Sequence, residues 1–133
     1  MFAWGSFLAV GGGAAVGAWI RWGLGTALNP LFPTLPLGTL VANLVGGLIM
    51  GFAMELITRH NVMPPELRLL VTTGFLGGLT TFSTFSAEIT TLLLRRDWLW
   101  SVVGIAAHVV GSLLLTVLGI ALIRALYAFG AST

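Results

Sequence analysis

One apolar segment of this chain, residues 65–94, is too long for a straight helix across a bilayer and has a break signal in its middle. The adjacent pair Gly77 and Gly78 stands there, and each glycine destabilises a helix by about 1 kcal/mol relative to alanine. Backbone groups freed by a break survive at membrane depth only where they are buried in protein or line a polar cavity. We therefore predict a helix broken at residues 77–80, with a functional site beside the break.

Composition places the rest of the chain in the bilayer as well. Of its 133 residues, 57% are hydrophobic and 8% are charged, and the mean hydropathy is +1.03. A soluble domain of this size needs far more charge to cover its surface. The 6 basic residues, all of them arginine, are too few and too scattered for a nucleic-acid interface, so nucleic acid is excluded as a partner. The absence of cysteine excludes disulfides.

We predict an all-α membrane protein with four transmembrane helices in a single domain, residues 1–133. The predicted spans are residues 2–22, 37–57, 65–94 with the break, and 99–127. Prolines and charged residues mark the connections between them. The first apolar run lacks the basic flank of a signal peptide and continues past a short signal core, so we expect it to remain as a span.

Polar residues recur at helical spacing within these spans. On the second span, Thr39, Asn43 and Gly47 lie four residues apart and share a face. Asn43 fits either a hydrogen bond between helices or a contact with a substrate. After the break come hydroxyl residues and two phenylalanines: Thr80, Thr81, Phe82, Ser83, Thr84, Phe85 and Ser86. The last span carries a small and polar stripe: Gly104, His108, Ser112, Thr116 and Gly119. A single Ser or Thr there ordinarily bonds to its own helix, whereas a stack of polar residues favours a polar track.

Ionisable residues in or near the spans have alternative interpretations. Glu88 is an acid at depth, where a buried or water-lined position is favoured over one facing lipid. Arg21, flanked by Trp19 and Trp22 at the predicted end of the first span, fits an interface anchor. It also fits a vestibule residue that concentrates anions. His108 fits the polar track or an interface hydrogen bond, and no second His or Cys lies near it to make a metal site.

The arginines are divided equally between the two sides of the membrane. With four spans, one side carries Arg59, Arg68 and Arg124, and the other carries Arg21, Arg95 and Arg96. The positive-inside rule then selects neither orientation, so we expect the chain to insert both ways and to pair antiparallel with itself. Four spans enclose little interior, and a dimer is the smallest assembly that turns the polar stripes inward.

The chemistry of the polar residues favours a moving anion. Most are neutral hydrogen-bond donors, whereas a fixed cation in the path binds an anion too tightly for conduction. Phenylalanine ring edges are electropositive and can face an anion. The sequence therefore predicts a narrow anion pathway formed by Asn43, Thr81, Phe82, Ser83, Thr84, Phe85, Glu88, His108, Ser112 and Thr116.

The run Gly-Gly-Leu-Thr-Thr-Phe-Ser-Thr-Phe-Ser resembles the signature of the small fluoride channels, the Fluc or CrcB family, and the likeness covers nearly the whole chain. It implies an antiparallel, dual-topology homodimer in the cell inner membrane, with paired pores through which fluoride leaves the cytoplasm passively. Fluoride export of this kind protects against fluoride toxicity. The resemblance implies that Phe82 and Phe85 are the pore phenylalanines, that Asn43 is a donor, and that Ser112 and Thr116 belong to a polar track.

The break is similar to the family's central sodium site. In an antiparallel dimer, a mid-membrane element near the twofold axis meets its own copy, so freed carbonyls converge in pairs. Oxygen ligands of this kind suit a hard cation. We expect a structural sodium ion at the dimer centre, held by the carbonyls of Gly77 and Thr80. Threonine hydroxyls or waters around these carbonyls are the alternative.

Other functional classes agree less well with the sequence. A proton-coupled exporter of small cations, as in the small multidrug transporters, needs a carboxylate in the first span, and this chain has none there. A non-transporting assembly subunit would use the polar stripes only to bind helices together. An enzyme is not expected, because the sequence offers no nucleophile and base pair and no metal constellation.

Overall fold

The computed structural model describes residues 3–132, and these residues form helices and connections without any strand. The helices are α1 (Trp4–Leu28), α2 (Leu37–Thr58), α3 (65–79), α4 (Phe82–Leu94) and α5 (Trp98–Ala131), with a short 3-10 helix at Asn29–Leu31. Three segments of the described chain are long and apolar enough to cross a membrane: Trp4–Leu31, Leu37–Thr58 and Trp98–Ala131. The all-α prediction is confirmed. The predicted start of the first span at residue 2 lies outside the described residues.

The first helix continues well beyond its predicted end at Trp22, so that boundary is wrong. Gly23 and Gly25, which were expected in the connection, are helical. Glycine disfavours a helix only weakly, whereas proline ends one, and Pro30 follows directly in the 3-10 turn. As a result Arg21 lies inside α1, more than one turn before its end, and not at the end as predicted.

The third helix is built from unequal parts. Pro65–Arg68 is α-helical, Leu69–Leu76 is a π-helix with wider turns, and Gly77–Leu79 is again α-helical. The chain then becomes extended, with φ and ψ of −86° and 155° at Thr80 and −151° and 115° at Thr81. A new helix, α4, begins at the next residue.

The interruption therefore lies at Thr80 and Thr81, and the prediction that the Gly77–Gly78 pair breaks the helix is wrong. Both glycines are helical. A Cβ on Gly78 would lie far inside van der Waals contact with the Ala14 carbonyl, so this glycine allows α1 and α3 to approach closely. The low helix propensity of a glycine pair is outweighed here by packing between helices.

Two close helix pairs hold the break in place. The first pair is α1 with α3, where a side chain on Gly17 would overlap the Phe75 carbonyl. The second is α2 with α5, where a side chain on Gly51 would overlap the Thr116 carbonyl. Apolar side chains complete the core in two clusters: Ala42, Leu76 and Leu79 beside the break, and Phe85, Ile89 and Leu92 along α4.

Candidate functional site

The side-chain amide of Asn43 holds the extended residue between α3 and α4. The Thr81 N–H donates to Asn43 Oδ1 at 2.8 Å, and Asn43 Nδ2 donates to the Thr81 carbonyl at 3.1 Å. The amide thus pairs with extended backbone as a neighbouring strand does. Backbone groups away from water need such partners, and the interrupted helix does not supply them. Asn43 therefore fastens α2 to the break.

Threonine hydroxyls satisfy other polar atoms at the two helix ends. Thr81 Oγ1 accepts from the Thr84 N–H at 3.1 Å and so caps the start of α4. Thr80 donates to the Leu76 carbonyl from its N–H at 3.0 Å and from its Oγ1 at 2.8 Å, which closes the end of α3. Ser83 is exposed, with its Oγ 3.3 Å from Thr81 Oγ1. Much of the predicted hydroxyl run consequently serves as helix caps.

Arg21 reaches the break from α1. Its Nε donates to the Gly78 carbonyl at 2.9 Å. The carbonyls of the last turn of a helix lack intrahelical partners, so the guanidinium supplies one of them. The side chain is half-buried, and its partner belongs to the break. Of the two interpretations from sequence, this contact favours the vestibule position over the interface anchor.

Two cavities meet at Thr81. The larger is a groove of about 480 Å³ between α2, α3, α4 and α5. Its walls include most of the predicted pathway residues: Asn43, Thr81, Phe82, Phe85, His108, Ser112 and Thr116. The two predicted sodium ligands, Gly77 and Thr80, line the same groove. The smaller, of about 360 Å³, is lined by Arg21, Trp22, Gly25, Thr26, Asn29, Thr39, Thr81 and Thr84. Among residues 3–132, Thr81 is the one residue that lines both of these cavities.

The two phenylalanines after the break contact each other but differ in exposure. Their ring centroids are 5.5 Å apart with an interplanar angle of 60°, so one edge faces the other ring. Phe82 is 76% exposed, whereas Phe85 is 8% exposed and lies with its centroid 4.6 Å from that of His108. Of the two rings, only Phe82 projects from the protomer.

The polar stripe of α5 faces α2. His108 is buried, with Nδ1 3.0 Å from Asn43 Nδ2. Thr116 Oγ1 donates to the carbonyls of Gly47 at 3.0 Å and Ser112 at 2.9 Å, so its hydrogen is held by backbone acceptors. Ser112 is half-buried on the groove wall. The stripe thus binds two helices together and at the same time lines the groove.

Glu88 lies away from both cavities. Its Oε1 accepts a hydrogen bond from Thr39 Oγ1 at 2.6 Å, which links α4 to α2 one turn from Asn43. Its Oε2 is buried and has no hydrogen-bond partner among residues 3–132. Because Thr39 lines the smaller cavity, the carboxyl group is one side chain removed from that cavity.

The carbonyls proposed as ligands of a cation stand at the groove wall. The amide that ordinarily bonds the Gly77 carbonyl is that of Thr81, four residues on, and it donates to Asn43 instead. Gly77 is exposed, with open space where a side chain would project. A backbone oxygen released in this way has the hard-donor chemistry that sodium prefers. Within residues 3–132 no group of 3 or more carboxylate, histidine or cysteine side chains that could hold a metal ion occurs.

Two groups at the site were absent from the predicted set. Thr39 was recognised only as a member of the α2 polar face, although its spacing of four residues from Asn43 is the signal that places it beside the site. The Gly78 carbonyl carries no sequence signal, because its partner, Arg21, is 57 residues away in the chain.

These features define an α-helical membrane protein with a groove beside the helix break, whose walls are mostly apolar and include a few neutral hydrogen-bonding side chains. Residues 8–120 match the family described as CrcB-like protein, Camphor Resistance (CrcB). The chain belongs to this family.

Relatives in this family are similar over most of their length. A protein of Nitrosospira multiformis named fluoride-specific ion channel FluC is 60% identical over 116 residues, which cover 87% of this chain and 91% of the relative. Proteins of the same name from Aromatoleum aromaticum and Thiobacillus denitrificans are 59% and 57% identical, covering 87% and 86% of this chain and 88% and 92% of theirs. The resemblance expected from the sequence is confirmed.

Proposed function

We propose that this protein is a fluoride-selective passive channel of the cell inner membrane, which lets fluoride leave the cytoplasm and so protects against its toxicity. Relatives that are 57–60% identical carry the name fluoride-specific ion channel. The observation in the molecule that carries the proposal is the groove beside the helix break, whose walls combine phenylalanine rings with a few neutral hydrogen-bonding side chains. A channel of this kind performs no chemical conversion, so it is not an enzyme.

The proposed route begins in the smaller cavity. Arg21 is half-buried there and raises the local concentration of anions. Its guanidinium is tied to the Gly78 carbonyl at 2.9 Å, which keeps this charge at the entrance and prevents it from binding the ion tightly within the path. Thr81 and Thr84 line the passage from this vestibule. The α4 N-terminus, with the positive end of its helix dipole, lies at the same point.

Beyond Thr81 the proposed route follows the groove. The ring edges of Phe82 and Phe85 offer an electropositive lining without a fixed charge. Ser112 offers a hydroxyl on the wall of the same groove. Small fluoride gains more than a larger halide from short contacts of this kind, because Coulomb attraction grows as the separation falls. We propose Asn43, Ser83, Glu88, His108 and Thr116 as the residues that shape and position this lining.

We further propose that the working unit is an antiparallel homodimer of dual topology, in which the two segments 65–79 and 82–94 form one broken span. Phe82 is 76% exposed in the protomer, and the groove beside it is open on the same face. A second copy covers this face and completes the walls of the path. The equal division of arginines allows both orientations.

A structural sodium ion at the dimer centre fits the groups present. The Gly77 carbonyl has lost its helical partner, and Thr80 lines the same groove. Uncompensated carbonyls in a dry interface cost several kcal/mol each, and a bound hard cation offsets that cost. We propose these backbone oxygens of both protomers as its ligands.

The alternative function, a proton-coupled exporter of small cations, is not favoured. Its mechanism requires an acid in the first span, and α1 contains none. The relatives are named as ion channels for fluoride.

Flux from liposomes that contain only the purified protein tests the proposed function. Vesicles loaded with fluoride are expected to release it down its own gradient, with no proton or sodium gradient imposed, and vesicles loaded with chloride are expected to retain it. Protein-free vesicles give the background. Equal rates for the two halides would rule out the selectivity, and flux that requires an imposed proton gradient would favour the exporter.

The same vesicles test the sodium ion. After exhaustive replacement of sodium by a bulky organic cation, we expect slower flux or a less stable dimer, since the ion is structural. A sodium gradient across the membrane should not drive fluoride. If flux and dimer stability are both indifferent to the exchange, threonine hydroxyls or water satisfy the carbonyls.

A further inference from the structure

The contact between Asn43 and His108 fixes where the protons lie. The Thr81 N–H can only donate, so the atom of Asn43 at 2.8 Å from it must be the oxygen. The amide nitrogen then carries both hydrogens, and its acceptors are the Thr81 carbonyl at 3.1 Å and His108 Nδ1 at 3.0 Å. Because an amide nitrogen only donates, His108 Nδ1 must be unprotonated.

His108 is consequently neutral, with its proton on Nε2. The side chain is 4% exposed, and Nε2 has no hydrogen-bond partner among residues 3–132, so no other contact selects the opposite tautomer. The imidazole is packed against the Phe85 ring, which limits its rotation. The lone pair of His108 Nδ1 therefore accepts the hydrogen bond from the second amide hydrogen of Asn43.

We propose that His108 is a positioning residue whose neutral form holds Asn43 on Thr81, so that a proton on His108 loosens this clamp and slows the fluoride flux. A second proton on the ring would sit on Nδ1 and point at the Asn43 N–H. Two donors facing each other at this distance repel. Turning the amide to offer its oxygen to His108 would place its nitrogen against the Thr81 N–H, so both bonds to Thr81 would be lost.

This loss matters because Thr81 lines both cavities. It also caps α4 through its hydroxyl. Releasing it disturbs the point where the proposed route passes from the vestibule to the groove. The proton also adds a fixed positive charge at the groove wall, where tight binding of an anion opposes its exit. Both effects slow conduction, so the inference rests on the proposed function.

Few other titratable groups face this position. On the two helices packed against His108, the acids are Glu88 of α4, bonded to Thr39, and Glu55 of α2, ion-paired to Arg124 at 3.1 Å. Glu88 is the one near the route, since Thr39 lines the smaller cavity. An acid effect on flux must therefore be assigned between His108 and Glu88 by substitution.

Fluoride flux at about pH 7.5 and about pH 5.5, corrected with protein-free vesicles at each pH, tests the proposal. Flux needs neutral His108, so it should fall as the pH is lowered and the His108 ring takes up a second proton. His108→Asn keeps an acceptor near the Nδ1 position and does not titrate, so its flux should be independent of pH over this range. His60→Gln is the matched control, because this other histidine stacks on Tyr127, outside both cavities, and the variant should keep the wild-type profile.

Two outcomes overturn the proposal: a flat wild-type profile, or a fall in His108→Asn as large as in the wild type. A fall that disappears in Glu88→Gln and persists in His108→Asn assigns the effect to the carboxyl group and likewise overturns it. Absence of wild-type flux at about pH 7.5 contradicts the proposed function instead. In that case, or where a variant does not fold, nitrogen NMR of His60→Gln tests the clamp, because His108 is then the remaining histidine. A neutral His108 ring protonated at Nε2 supports the clamp. A ring protonated at Nδ1 excludes it.

Discussion

Asn43 uses every hydrogen-bonding atom of its side chain on neighbouring parts of the protein. Its oxygen accepts from Thr81, and its nitrogen donates to Thr81 and to His108. The two interpretations left open by the sequence, a bond between helices and a contact with the ion, therefore differ in cost. Contact with an ion requires one of these bonds to break, and each net bond is worth about 1 kcal/mol. The side chain is placed first of all to hold the break.

Phe82 and Phe85 allow ring electrostatics to be separated from packing. Phe82→Ile and Phe85→Ile each keep apolar bulk and remove an electropositive ring edge, so both should reduce fluoride flux if the edges face the ion. Only Phe85 is buried in the protomer, at 8% exposed against 76% for Phe82. We therefore expect Phe85→Ile also to lower thermal stability, by roughly 1–3 kcal/mol, while Phe82→Ile changes protomer stability little.

Flux in liposomes and thermal unfolding in detergent measure these effects side by side. Both variants should elute at the same volume as the wild type in size-exclusion chromatography. Normal flux in both would mean that the rings serve only as packing. A loss of flux in Phe85→Ile alone would restrict the ion contact to the buried ring.

The sequence predicts well which segments are helical. It predicts poorly where α1 ends and where α3 gives way to α4. Apolar length and the placement of prolines predicted α2 and α5 to within a few residues at each end. The position of the break was misjudged because the pairing that creates it joins Asn43 to Thr81, 38 residues along the chain. Local propensity favours a break at Gly77 and Gly78, and it carries no information about that partner or about the close contact that keeps both glycines helical.

The candidate site was predicted in the same uneven way. Spacing on each helix identified most residues of the groove, because residues three and four apart share a face. It did not indicate which of their atoms are already bonded. The sequence assigned Thr81 and Thr116 to the anion pathway. In the structure the Thr116 hydroxyl has two carbonyl acceptors, and the Thr81 hydroxyl caps a helix.

Glycine contacts between α1 and α3 lead to a prediction at this scale. Gly17→Ala places a methyl group against the backbone of Phe75 and Leu79, where only a shift of the helices can make room. We expect a loss of roughly 1–3 kcal/mol in stability. Fluoride flux should fall as well, because Arg21 lies one turn further along α1 and its bond to Gly78 depends on the same helix spacing.

The matched control is Gly12→Ala on the same helix. A Cβ at Gly12 has no atom of the protomer within 4 Å, and alanine improves helix propensity. Thermal unfolding and flux of the two variants are compared under identical conditions. Equal behaviour would show that α1 and α3 are not held at the close distance that these glycines allow.

For the whole molecule, the protomer leaves its candidate pathway incomplete. The groove is walled by four helices of the protomer on one side, and Phe82 projects from it. Large apolar side chains such as Leu113 and Val109 line the groove and are exposed. The path of a channel must instead be enclosed by protein. In the proposed dimer, a second copy covers this face and removes both deficiencies.

Dual insertion can be tested by shifting the balance of arginines. With the four proposed spans, one side carries Arg59, Arg68 and Arg124 and the other carries Arg21, Arg95 and Arg96. A short run of lysines added at the C-terminus should then bias insertion toward one orientation. If the functional unit is antiparallel, the biased chain alone should lose most of its fluoride flux in cells, because it lacks a partner of opposite orientation. Co-expression with a copy biased the other way, by lysines added to the connection after α4, should restore flux.

An equally long run of glutamines at the C-terminus controls for length and should leave insertion mixed and flux unchanged. Orientation is measured by the accessibility of a C-terminal tag on each side of the membrane. Full flux from a chain fixed in one orientation would require a parallel or monomeric pathway, and the antiparallel arrangement, together with the sodium position derived from its axis, would have to be abandoned.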